Sequence, residues 1–164
     1  MMYFALGGHP GFRTPLNKGR GREDYEYVFS ESMTTDRPVI LEGMHRKYRV
    51  PFLDNEDRIS LSDSRVPNAG MFLEDHSSRQ IGIALKGKPP YVTVHLDDFP
   101  NTNLWSPPGM PYACIEPMVG HHDPIWSPLE IDKKSHLVQL PVGESRTFIY
   151  RIEIHPEQGT RVLR

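Results

Sequence analysis

The sequence predicts an all-β fold, an antiparallel β-sandwich, and three observations carry that prediction. Segments in which apolar and polar side chains alternate with a period of two recur along the chain, the pattern of half-buried strands. No comparable stretch keeps the 3.6-residue period of an amphipathic helix. The 16 prolines and 13 glycines among 164 residues divide the chain into short elements joined by turns. A chain of this length can bury roughly two-thirds of its unfolded surface, and no repeat or linker divides it. Residues 1–164 are therefore expected to form a single domain.

In chain order, the predicted strand segments are "MYFAL" (2–6), "YEYVF" (25–29), "PVIL" (38–41), "RISLS" (58–62) and "QIGIAL" (80–85). "YVTVHL" (91–96), "YACIEPM" (112–118) and "RTFIYRIEIH" (146–155) follow. Each is justified by alternation and by β-branched or aromatic content. Turn signals separate them: "HPGFRTP", "KGKPP", "SPPGMP", "HHDP" and "PVGES". In the last segment Phe148, Tyr150, Ile152 and Ile154 share one face, which is expected to be buried. "MMYFAL" is apolar from Met1 onward, so the chain is expected to start inside a strand.

The formal charge is −2 with a pI near 6.4, and basic residues are scattered rather than blocked. Neither nucleic acid nor an anionic membrane is an expected partner. The single cysteine, Cys114, rules out an intrachain disulfide and a cysteine-only zinc site, and fits a reducing compartment. No apolar run approaches the roughly 20 residues that span a bilayer, and "MMYFAL" lacks the charged lead of a signal peptide. A soluble, cytoplasmic protein is expected.

Four places have residue types suited to chemistry. His9, in "GGHPGF", lies between glycines that permit close backbone approach and Pro10, which restricts His9 to an extended conformation. It is either a solvent-exposed turn histidine or a proton-transfer group presented at a fixed angle. Glu116 shares a strand face with Tyr112, Cys114 and Met118. It is either an edge glutamate in water or a carboxylate whose enclosure raises its pKa and basicity. "GHHDP" (120–124) suggests metal, yet adjacent histidines on a strand face opposite ways, so His121 and His122 do not readily share an ion there. Trp105 and Trp126 border Ser-Pro turns and serve either as core residues or as apolar platforms for a sugar.

Taken in order, "LGGHPGF", "DYEYVF", "SSRQIGIAL", "LWSPPGMPYACIEPM" and "LPVGESRTFIYRIEI" resemble the C-terminal part of the aldose 1-epimerase (galactose mutarotase-like) family, in its LacX-like branch. The resemblance implies part of a β-supersandwich, with this chain as the C-terminal half to two-thirds of a mutarotase-like domain. It implies interconversion of the α and β anomers of a free hexose or close derivative, with no cofactor and no metal. By motif matching, His9 is the general acid and Glu116 the general base; Asn68 and Trp105 contact the sugar. Asn68 stands where many members have aspartate, exchanging a pure acceptor for a donor and acceptor. The family's upstream histidine and arginine have no counterpart in the chain. Two other readings follow: a non-catalytic carbohydrate-binding module, and a cupin-like metal protein using His9 with His121, His122 or Asp123. Strands lacking partners would leave open sheet edges, so self-association is expected.

Overall fold

The computed structural model describes residues 1–66 and 70–156. Among these residues the chain is built from antiparallel strands with two short 3₁₀ turns, as the alternation predicts. One five-stranded sheet contains β4 (Tyr25–Leu41), β5 (Met44–Ser60), β7 (Gln80–Leu85), β8 (Pro90–His95) and β12 (Arg151–Ile154), in the order β12-β8-β7-β4-β5. The second is centred on β10 (Tyr112–Val119), which pairs on one side with β9 (Asn101–Trp105), itself paired to β6 (Met71–Leu73). On its other side β10 pairs with β2 (Leu6–Gly7) and β3 (Gly11–Arg13). A small ribbon joins β1 (Met2–Phe4) to β11 (Val138–Leu140).

The pleat decides which residues fill the core. Met71, Leu104 and Ile115 lie opposite one another across β6, β9 and β10, and all three are fully buried. They join Tyr25, Tyr27, Ile81, Ile83, Val92 and Val94 of the other sheet in a single apolar cluster. Directly paired residues share a face, so the next row, Phe72, Asn103 and Glu116, is turned away from this core. Tyr27 links the sheets, its buried hydroxyl donating to the Cys114 carbonyl at 3.0 Å.

Two expectations need correction. The long β4–β5 hairpin was visible only at its ends, because β5 has Pro51 and a run of charged residues that interrupt the alternation. As the outer strand of its sheet it tolerates proline and charge. Its tight turn places Glu42 and Gly43 at φ of 53° and 75°, the left-handed pair that a two-residue hairpin requires. The last segment forms a strand only over Arg151–Ile154, and Ile152 and Ile154 are exposed rather than buried. They pair with core residues Val94 and Val92, but β12 is an edge strand and no layer covers it among the described residues.

Candidate functional site

The site is built on the face of β10 and β9 that points away from the core. Alternation along β10 sends Ala113 and Ile115 inward and leaves Cys114 and Glu116 on the outer face. Across the register, Glu116 lies opposite Asn103 and Cys114 opposite Trp105. His9 comes from the link between β2 and β3, both of which pair with β10. The Gly-Gly pair before it serves close approach. Gly8 donates its N–H to the Pro117 carbonyl at 3.0 Å, and a Cβ at Gly8 would lie 2.8 Å from the Tyr150 ring.

This brings the His9 Nε2 to 3.3 Å from Glu116 Oε1. The two environments differ sharply, since the His9 side chain is 61% exposed and that of Glu116 only 8%. Asn103 Nδ2 donates to Glu116 Oε2 at 3.1 Å, while Oε1 has no partner in hydrogen-bond geometry among the described residues. The carboxylate is thus oriented by one oxygen and open for proton transfer at the other. Burial raises the Glu116 pKa above the usual carboxylate value, partly offset by the Asn103 hydrogen bond and the His9 charge. The neighbouring Cys114 thiol is pushed up to about 11, by burial first and then by the Glu116 charge. Cys114 is therefore a protonated thiol at neutral pH, not an activated nucleophile.

Trp105 meets the His9 ring edge-on at 5.8 Å between centroids and the Tyr112 ring at 5.7 Å. It is half-buried on the outer face and absent from the apolar core cluster. Trp126 is exposed. Gly70, with φ of 94°, approaches so closely that an added Cβ would lie 3.1 Å from Asn103 Oδ1. Asn68, the remaining sequence candidate, lies outside the described residues.

Asn103 escaped sequence reading because β9, "NTNLW", is too polar to register as a strand. A signal was present: Asn101, Asn103 and Trp105 alternate around the apolar Leu104. Among the described residues two groups of metal-capable donors also form, His9 with Cys114 and Glu116, and His45 with Glu74 and His121. His9 and His121 thus fall into different groups, and His122 and Asp123 into neither, so the described residues do not assemble the cupin-like constellation.

The outline of the molecule matches solved structures closely. A galactose mutarotase related enzyme from Lactobacillus acidophilus superposes with a TM-score of 0.82 at 24% identity, over 94% of this chain and 53% of that one. The fold is galactose mutarotase-like. A galactose mutarotase-like protein from Lactobacillus casei superposes on the same share of this chain with a TM-score of 0.72 at 21% identity, over 54% of its own length. In sequence, the plasmid and chromosomal LacX proteins of Lactococcus lactis subsp. lactis are each 32% identical to the chain over 124 residues. That stretch is 73% of this chain, and the chain spans 41% of the length of either relative. The mutarotase-like resemblance of the five ordered motifs, including its LacX-like branch, is thereby borne out. No family model matches the chain. No helix among the described residues is long and apolar enough to cross a membrane.

Proposed function

We propose that the chain belongs to an aldose 1-epimerase-like isomerase acting on a free hexose or close derivative, without a cofactor. The observation that carries this reading is a buried carboxylate, Glu116, fixed by Asn103 and set 3.3 Å from the imidazole of His9. Ring opening of a hemiacetal needs a base at the anomeric hydroxyl and an acid at the ring oxygen, two oxygens on the same carbon. Two converging groups, Glu116 on β10 and His9 in the link between its partners β2 and β3, suit that demand. Glu116 takes the hydroxyl proton as protonated His9 delivers one to the ring oxygen, and the C1–O5 bond breaks to give the open aldehyde. Rotation about C1–C2 presents the other carbonyl face, and the two transfers reverse. One proton enters the pair as one leaves it, so no net acid or base is consumed.

Trp105 supplies an apolar face beside His9 for the sugar's C–H groups, and Asn68 is assigned a sugar hydrogen bond by resemblance. The names of the two structural neighbours support a sugar substrate. That the chain spans 41% of either LacX protein and 53% of the Lactobacillus acidophilus structure supports reading residues 1–164 as one part of a mutarotase-like domain, placed at its C-terminal side by the motif resemblance. A cytoplasmic location fits this chemistry. The exposed Ile152 and Ile154 of edge strand β12 support self-association through sheet edges.

Polarimetry of freshly dissolved α-glucose and α-galactose tests the reading. Decay to equilibrium should be faster with the protein, and His9→Ala should lower that catalysis by about 10²–10⁴-fold. Saturable sugar binding without faster decay would assign a carbohydrate-binding module instead.

The pH profile adds a second check. Activity requires ionised Glu116, so it should fall on the acid side with a midpoint above 4.5, the ordinary carboxylate value. The Asn103 hydrogen bond stabilises the ionised form. Asn103→Leu should therefore move that acid limb to still higher pH, measured as kcat/KM against pH. A limb that stays put would mean that Asn103 does not tune the base.

A further inference from the structure

A second constellation lies on the same outer face, beyond Phe72. Phe72 is opposite Asn103, which is opposite Glu116, so it lies two strand spacings, roughly 10 Å, from the carboxylate. Three segments distant in sequence converge over its buried ring. His45 comes from the start of β5, Glu74 follows β6, and His121 belongs to the loop after β10; the His45 and His121 rings lie 5.3 and 6.2 Å from that of Phe72.

Backbone contacts hold these segments together. The His45 N–H donates to the Asp123 carbonyl at 3.2 Å, and the Ile125 N–H to the His45 carbonyl at 3.0 Å. The His121 ring is sandwiched, stacked on His45 at 4.8 Å and on His136 at 4.5 Å. His136 is anchored in turn by Asp123, 2.8 Å from its Nε2.

The donor atoms cluster around one carboxylate oxygen. His45 Nδ1 lies 3.7 Å and His121 Nε2 3.6 Å from the same oxygen, Glu74 Oε1, and all three donors fall within 4.8 Å of one another. Those separations are too long for hydrogen bonds. An ion with bonds of 2.0–2.2 Å spaces neighbouring donors roughly 3.0–3.6 Å apart, so the two Glu74 contacts are within about 0.1 Å of a coordination shell, and the two imidazole nitrogens, within 4.8 Å of each other, would close by up to about 1.2 Å around an ion. The ligand orientations are set as outer-shell partners set them. His121 Nδ1 lies 2.7 Å from the His122 carbonyl, an acceptor only, so Nδ1 bears a proton and Nε2 is the nitrogen left near Glu74. Arg49 binds Glu74 Oε2 and leaves Oε1 to the imidazoles. His45 is 95% buried, and its Nε2 has no hydrogen-bond partner among the described residues. A cation set between these nitrogens and the carboxylate oxygen would satisfy all three donors at once.

We propose that His45, Glu74 and His121 form a binding site for a divalent first-row transition metal, with zinc the best match to two imidazoles and one carboxylate. Glu74 and His121 are partly exposed, leaving a fourth position for water. The ion would tie the tip of the β4–β5 hairpin to the loop after β10, fastening one wall of the outer face. The site stands apart from His9 and Glu116, and its test does not depend on the sugar chemistry.

The test uses the full chain stripped with a chelator and titrated with Zn²⁺ by calorimetry, with metal content measured after gel filtration. One Zn²⁺ per chain and a higher thermal midpoint with Zn²⁺ are expected. His121→Ala and Glu74→Gln should each raise Kd by at least about tenfold, the floor set by outer-shell changes, and abolish the thermal shift. His9→Ala and Cys114→Ser should bind as the unmodified chain does, which separates this site from the other donor group. Should His121→Ala fail to fold by circular dichroism, Glu74→Gln decides, since the amide keeps the side chain's volume. Absence of stoichiometric binding by the folded chain would overturn the proposal. So would binding that survives Glu74→Gln, or binding lost in His9→Ala.

Discussion

Glu116→Gln is expected to lower mutarotation by about 10²–10⁴-fold while leaving the fold intact or more stable. The amide keeps the shape and can still meet Asn103, but it cannot accept the anomeric proton. The stability half of the result follows from linkage. The folded-state pKa of Glu116 is raised above the ordinary 4.5, chiefly by burial, so the native state holds this proton more tightly than the unfolded chain does. That contribution to stability is complete below the unfolded pKa and is lost as pH rises through the folded value. Above its folded-state pKa the unmodified chain holds a desolvated charge that glutamine does not. The thermal midpoint of Glu116→Gln should therefore equal or exceed that of the unmodified chain at pH 7, and the advantage should vanish below about pH 4. Full mutarotation in the variant would remove Glu116 from the role of base. A variant less stable at pH 7 would show that the ionised carboxylate is a net stabiliser.

The adjacent residue should behave in the opposite way. Ile115→Ala is expected to cost about 2–5 kcal/mol of folding free energy, because Ile115 is fully buried and lies opposite Leu104 in the row that faces the other sheet. A chain of this size loses roughly 2–4 °C of thermal midpoint per kcal/mol, so the change should be plain in both thermal and urea denaturation. Below the melting range the surviving folded fraction should keep its mutarotation per folded molecule, since Ile115 does not reach the outer face. A cost below about 1 kcal/mol would mean that the inner face of β10 is not packed as described. One step along β10 thus separates a residue whose loss removes chemistry from one whose loss removes stability.

That contrast shows how much of the molecule could be read before folding was considered. "YACIEPM" alternates so regularly that Glu116 and Cys114 were placed together on one face, away from Ile115, from the pattern alone. "QIGIAL" matches β7 residue for residue. By contrast, most of β5 and all of β9 were missed. Their strands are polar, and they are held in the sheets by pairing with neighbours rather than by an apolar period of their own.

What the sequence determined by itself is local: alternation set the strands and their inner and outer faces, turn residues set their ends, and ordered motifs pointed to a mutarotase-like family. Only the tertiary structure decided which outer-face residues meet. Strand pairing placed Asn103 against Glu116 and Trp105 against Cys114, and the β4–β5 hairpin brought His45 to His121. The physical reason is that register and chain reversal bring together residues from segments far apart in sequence. No period within one segment encodes its neighbour, so the oriented carboxylate and the imidazole cluster emerge only when the sheets are assembled.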